Sequence, residues 1–118
     1  MSVKIAVGLV SAFLIGWVVG CASHLAQPTP EDVQWAVTHW PDTTLQGLQQ
    51  GRAIYVQKCA GCHNLHRPEE YPPEEWTGQI DEMAEDEDVV LNPSDRELIT
   101  RYLITVSSRV RDALPSSP

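Results

Sequence analysis

Residues 58–66 read KCAGCHNLH, which places two cysteines and two histidines within nine positions. Side chains this reactive, this close together, serve a metal, a redox dithiol or a covalent attachment, and each choice constrains the fold differently. A zinc site needs two ligand pairs brought together from separate places, because one helical turn cannot reach four tetrahedral positions. The chain has 3 cysteines in all, so no second pair exists. A thioredoxin-like dithiol calls for a βαβ setting, and no alternating strand pattern supplies one. The third reading is c-type haem attachment, for which C-x-x-C-H is the signature. Cysteines three apart at a helix end project to one side, where each can form a thioether with a haem vinyl group. The next histidine is then held beneath the iron. The spacing favours this reading, with Cys59 and Cys62 as the thioether residues and His63 as the proximal ligand.

A covalent haem would also answer a problem of size. The chain has 118 residues, and its first twenty differ from the rest. They carry one charge, Lys4, then an apolar run over 5–19, then small residues, the order of a secretory signal. The end of that stretch, VVGC at 18–21, resembles the lipobox of bacterial lipoproteins, in which the cysteine is acylated and becomes the mature N-terminus. The alternative is an uncleaved anchor, since the run is nearly long enough to span a bilayer. Either form puts the body of the protein outside the cytoplasm, tethered to a bacterial membrane on its periplasmic side or at the cell surface. Cleavage before Cys21 leaves about 98 residues with 16 acidic against 7 basic side chains, a net charge of −9. Such a domain repels nucleic acid and anionic lipid headgroups and prefers basic protein surfaces. It is also small enough to need a staple. A Cys59–Cys62 bridge closes too short a loop to help much, whereas a buried macrocycle supplies the missing apolar surface.

The rest of the chain reads as helices. Residues 21–28 form a linker from lipidated Cys21. An extra helix over 29–41 starts with Thr29 as N-cap and Pro30 at its first position, shows Val33, Val37 and Trp40 on one stripe, and stops at Pro41. A second helix opens at Thr43, where Thr43 and Gln46 fit a capping box, and runs to about Cys62. Leu48, Gly51, Tyr55 and Cys59 share one of its faces. Gly51 in mid-helix costs about 1 kcal/mol relative to alanine, which a closely crossing helix would explain. After a proline-broken loop, Pro73 opens a third helix with Trp76, Ile80 and Met83 on one face. A last helix is expected from a capping box at Ser94 and Glu97, with Leu98, Ile99, Tyr102, Leu103 and Val106 as its stripe. Residues 111–118 are a tail. The fold class is all-α.

With these residues in view, residues 45–106 resemble the class I cytochrome c family, as a monohaem, lipoprotein-anchored member. GRAIYVQKCAGCH is similar to that family's N-terminal helix, and ELITRYL to its C-terminal helix, where an aromatic residue packs over the glycine, here Tyr102 over Gly51. The resemblance implies a small helical domain at 42–110 around one covalent haem c. It also implies a methionine on the iron's other face. Met83 is the only methionine after the initiator, and it shares a face with Trp76 and Ile80, which would line the haem. About eight loop residues reach at most roughly 26 Å, enough to round the macrocycle edge. His39 swinging in from the extra helix, His66, or an open sixth position remain alternatives. The family's proline carbonyl, which accepts the proximal histidine's other ring proton, would come from Pro72 or Pro73.

Iron held by Met and His has both positions filled, so the implied activity is one-electron transfer between redox proteins, with no catalytic residues and no small-molecule substrate. A peroxidase-like enzyme or ligand sensor with an open position is the enzyme-class alternative, and a non-redox interaction subunit stabilised by haem the other. Six carboxylates in the run DEMAEDED, 81–88, surround Met83 in sequence. They would form either a solvated face or a docking patch for a partner with a basic rim.

Overall fold

The computed structural model of the chain describes residues 25–59, 65–86 and 88–114. The signal segment and Cys21 lie outside the described residues, as do Cys62 and His63. Four α-helices appear among them, α1 (Pro30–Ala36), α2 (Leu45–Cys59), α3 (Trp76–Asp86) and α4 (Pro93–Ala113), with 3-10 turns at Pro68–Glu70 and Pro73–Glu75 before α3. No strand occurs among the described residues. None of their helices is long and apolar enough to cross a membrane.

The long helix α4 organises the rest, and α1, α2, α3 and both 3-10 turns pack on it. Its stripe Ile99, Tyr102, Leu103 and Val106 is fully buried. The i, i+3, i+4 spacing expected of an amphipathic helix therefore becomes the centre of the core. Across from it α2 contributes Leu48, Ile54 and Tyr55, and α3 contributes Trp76 and Ile80. The two long helices meet at Gly51. A Cβ built there would stand 2.1 Å from the Leu98 carbonyl oxygen and 3.1 Å from the Tyr102 Cβ. Only a hydrogen fits, which accounts for a glycine in the middle of a helix.

The helix starts differ from expectation by one or two residues. At α2 the cap is Thr44, whose hydroxyl accepts from the Gly47 amide at 3.0 Å, while Thr43 is buried under Arg101. At α4 the cap is Asn92, accepting from Asp95 N at 2.8 Å, with Pro93 at the first helical position. Proline there loses no hydrogen bond and has its φ already set, so Asn92 takes the cap ahead of Ser94. Helix α1 starts as expected, with a full Thr29–Asp32 capping box. Its inward residues, however, are Asp32 and Ala36, and Val33, Val37 and Trp40 are half-buried. Asp32 can turn inward because Arg109 of α4 meets it at 2.9 Å.

Residues 25–29 also pack on the domain. Leu25 is 4 % exposed and belongs to the core, and Pro28 is buried.

Candidate functional site

Helix α2 ends on Cys59, the first cysteine of the C-x-x-C-H run. Four residues earlier on the same face, Tyr55 is fully buried, and its hydroxyl donates to the His66 carbonyl at 2.8 Å. One residue earlier, the Lys58 ammonium sits 3.1 Å from an Asp95 carboxylate oxygen and donates to the Val90 carbonyl at 3.2 Å. Residues 60–64 are thus flanked by two fixed ends. Cys59 is positioned by a helix tied to α4, and the segment starting at Leu65 is latched by Tyr55. Cys62 and His63 fall between those ends, outside the described residues.

The segment after the motif is fastened at three points. His66 Nδ1 meets Glu70 Oε2 at 2.7 Å. Burial alone would raise the Glu70 carboxyl, but the His66 hydrogen bond, the Arg67 amide and the nearby cationic groups outweigh it and hold it below its ordinary value. Trp76, fully buried, donates its indole N–H to the Pro68 carbonyl at 2.9 Å. Ser107 of α4 donates to the Tyr71 carbonyl at 2.7 Å. Tyr71 in turn stands edge-on to both His66 and Trp76 at ring separations of 5.2 Å, and Tyr55 meets Trp76 edge-on at 6.3 Å. Edge-on aromatic pairs of this kind add to the area they bury. Together they hold the chain leaving the motif in one path.

Trp76 and Ile80 are core residues, and Met83 lies one turn further along α3, half-buried against the same core. Cys59, Val56, Leu65 and Leu91 are half-buried against it too. The sulfur that would form a thioether and the thioether that would meet the iron thus both pack against the one hydrophobic core. Val90, beside Lys58, leaves 84 % of its surface exposed. Half-covered or exposed aliphatic side chains such as these are what a large apolar macrocycle would cover, and the residues described fit the group. Burial pushes the Cys59 thiol up, partly countered by Lys58, so the unattached sulfur stays a neutral thiol at ordinary pH.

His39 is exposed at the end of α1, stacked on Trp35 at 4.1 Å and hydrogen-bonded to the Thr38 hydroxyl at 2.9 Å. Its neighbour Trp40 lies under the Arg101 guanidinium, which also binds Asp42 and Thr43 at the start of α2. Cys59 is at the other end of that helix, about 21 Å along the axis. Each of the nearby proline carbonyls already has a donor, Trp76 Nε1 at Pro68, Glu75 N at Pro72 and Trp76 N at Pro73.

Sequence reasoning missed the Tyr55, Tyr71 and Ser107 latches and the Lys58 link to Asp95 and Val90. No local signal marks them, since each joins residues from 11 to 37 positions apart in sequence. Among the described residues no cluster of three or more His, Cys, Asp or Glu side chains is placed to hold a metal ion.

A family model described as dihaem cytochrome c matches residues 55–118, a little over half of the chain, beginning at Tyr55 and including the whole C-x-x-C-H run. Comparison with curated proteins and with solved structures found no match.

Proposed function

The chain belongs to the dihaem cytochrome c family, which makes it a c-type cytochrome and an electron carrier; we propose that it carries single electrons between redox proteins while tethered to a membrane through Cys21. The expectation of a monohaem family is corrected, because the family is dihaem. The sequence motif could not foretell this, since it reports only an attachment made by its own cysteines. With cysteines at 21, 59 and 62 alone, these 118 residues offer one pair for two-thioether attachment. In this reading Cys59 and Cys62 would hold one haem c, and His63 would supply a ligand to its iron.

The observation that carries the reading is the placement of Cys59 at the end of α2, half-buried against the same hydrophobic core as Met83. When bound, the haem supplies a reversible one-electron couple. The chain's residues do the rest. Tyr55, Trp76 and Ser107 fix the segment that follows the attachment cysteines, Trp76 and Ile80 close the core behind it, and Met83 offers a thioether as sixth ligand. A position filled by methionine leaves no site for oxygen, peroxide or substrate and raises the potential. Export, implied by the signal-like first twenty residues and general among c-type cytochromes, agrees with a carrier that works outside the cytoplasm.

Haem quantitation with intact mass on the purified full chain tests the attachment, with one covalent haem per chain expected. Two covalent haems, or pigment that acid–acetone strips away, would overturn it. The sixth ligand is tested by the weak Met–iron charge-transfer band of the oxidised protein. Met83→Leu should abolish that band and lower the potential, and a band absent from the unsubstituted protein would assign the position to another ligand.

A further inference from the structure

The described part of the segment between the proposed anchor and the domain, residues 25–29, is fastened down. The Leu25 carbonyl accepts from Arg52 Nη2 at 3.2 Å and from Nε at 3.4 Å. The Gln27 amide, with its oxygen turned toward Arg52, accepts from both Nη atoms at 3.2 Å. Tyr102 donates its hydroxyl to the Ala26 carbonyl at 2.7 Å, and Arg109 donates to the Thr29 hydroxyl at 3.2 Å. With Leu25 buried in the core, these contacts make a strap that crosses α2 at Arg52 and α4 at Tyr102. Four Cα–Cα steps separate Leu25 from Cys21, and they span at most about 14 Å.

Helix α2, on which the strap lies, has a second property. Its fifteen residues, LQGLQQGRAIYVQKC, include no carboxylate, although the chain has 16. The exposed side chains Gln46, Gln49, Gln50, Ala53 and Gln57 recur at helical spacing and form one uncharged stripe next to Arg52. On α3, by contrast, Asp81, Glu82, Glu85 and Asp86 are all exposed. A bilayer surface bearing anionic headgroups repels carboxylates and tolerates neutral amides and cations.

We propose that the strap fixes the domain's orientation on the bilayer, with the glutamine stripe of α2 facing the headgroups and the acidic side of α3 turned to the aqueous phase. The inference rests on anchoring at Cys21 and applies equally to an acylated cysteine and to an uncleaved anchor, since both end within the same short reach. Cys59 closes α2 seven residues beyond Arg52, about 10 Å along the axis. The redox site is therefore carried beside the bilayer in a set orientation, which raises its effective concentration at membrane-bound partners.

The test uses the full anchored chain in vesicles of phosphatidylcholine with phosphatidylglycerol. With Cys59 and Cys62 consumed by haem, and Cys21 consumed by the lipid or, where mass shows an uncleaved anchor, replaced by serine, an introduced thiol is the single labelling site. A fluorophore on Gln50→Cys should transfer energy to a headgroup-bound acceptor severalfold more efficiently than one on Glu82→Cys. The optical spectrum of each variant reports whether it folded with its haem, and Gln57→Cys provides a second reading of the α2 stripe. A flexible Gly–Ser insertion of about ten residues after Ser23 lengthens the tether and should bring the two efficiencies together without changing co-sedimentation with vesicles. Equal transfer at both sites in a co-sedimenting protein would overturn the orientation alone. Failure to co-sediment would overturn the anchor and the orientation with it.

Discussion

At Gly51 a single hydrogen sets the distance between the two longest helices. The obstacle to a methyl group there is backbone, the Leu98 carbonyl, which cannot swing aside as a side-chain tip could. Gly51→Ala gains about 1 kcal/mol of helix propensity but forces α2 and α4 apart, an overpacking cost of about 1–3 kcal/mol or more. Denaturant unfolding should therefore show a net loss of stability, and a gain would mean the helices can slide. Tyr102, the residue over that glycine, has its own signature. Burial pushes its phenol from 10.0 up to about 12, partly offset by Arg52, and burial also raises Tyr55. The raised value means the folded state keeps its proton longer than the unfolded one. Stability is thus complete below pH 10 and declines as pH rises toward about 12, by up to about 2–3 kcal/mol for this group. Tyr102→Phe should make that alkaline limb shallower, with the Tyr55 part remaining, and should lower stability near neutrality by about 1 kcal/mol through the lost bond to Ala26. Unfolding curves across pH 8–12 would reveal an unchanged limb if the phenol is not responsible.

Among the elements, α1 is the shortest helix and the one most dependent on a single ion pair. Asp32, 1 % exposed, faces Arg109 at 2.9 Å and also accepts from the Thr29 amide at 2.7 Å. One of its carboxylate oxygens has no hydrogen-bond partner. Removing the arginine leaves a buried charge without its counterion, which costs about 3 kcal/mol where burial is complete and somewhat less beside a partly exposed guanidinium. Arg109→Ala should thus release α1 and the adjoining Thr29 before the rest of the fold. Hydrogen exchange would show this as lost protection in 30–37 while the α4 core stays protected. Uniform loss over all four helices would show instead that α1 is integral to the core. The inward turn of Asp32 was not legible in the sequence, because α1's apolar spacing pointed to Val33 and Val37, and the partner that overrides it is 77 residues away. The stripe of α4 was legible because it is a strictly local pattern. The caps were legible as to kind but displaced, since Thr43 and Thr44, or Asn92 and Ser94, differ locally only in what their neighbours allow.

For the whole molecule, membership of a c-type cytochrome family could be read from residues 58–66, because covalent haem attachment demands the C-x-x-C-H spacing whatever the surroundings. What encloses the site could not, because the latches from Tyr55, Ser107 and Lys58 depend on how α2 and α4 cross. The packed strap at 25–29 was equally hidden, as ASHLAQP has no periodicity and its contacts come from Arg52, Tyr102 and Arg109. Charge distribution lies between these cases. The net charge of −8 is a property of composition, but the structure shows how it is shared out. Helix α2 carries none of the carboxylates, while α3 exposes Asp81, Glu82, Glu85 and Asp86, with Asp81 paired to Arg96. Met83 is on that same α3, so a partner with a basic rim that approaches the Met side meets the carboxylates first. Opposite charge then accelerates encounter, by roughly tenfold or more at low salt, and the gain fades once the Debye length falls to about 8–10 Å near physiological ionic strength. Stopped-flow electron transfer to a basic acceptor should slow as salt rises. Glu82→Lys with Glu85→Lys should slow it by about tenfold at low salt and leave it nearly unchanged at high salt, with the haem spectrum intact. A rate flat in ionic strength, or one that the double reversal leaves untouched, would reduce the acidic face of α3 to a solvated surface.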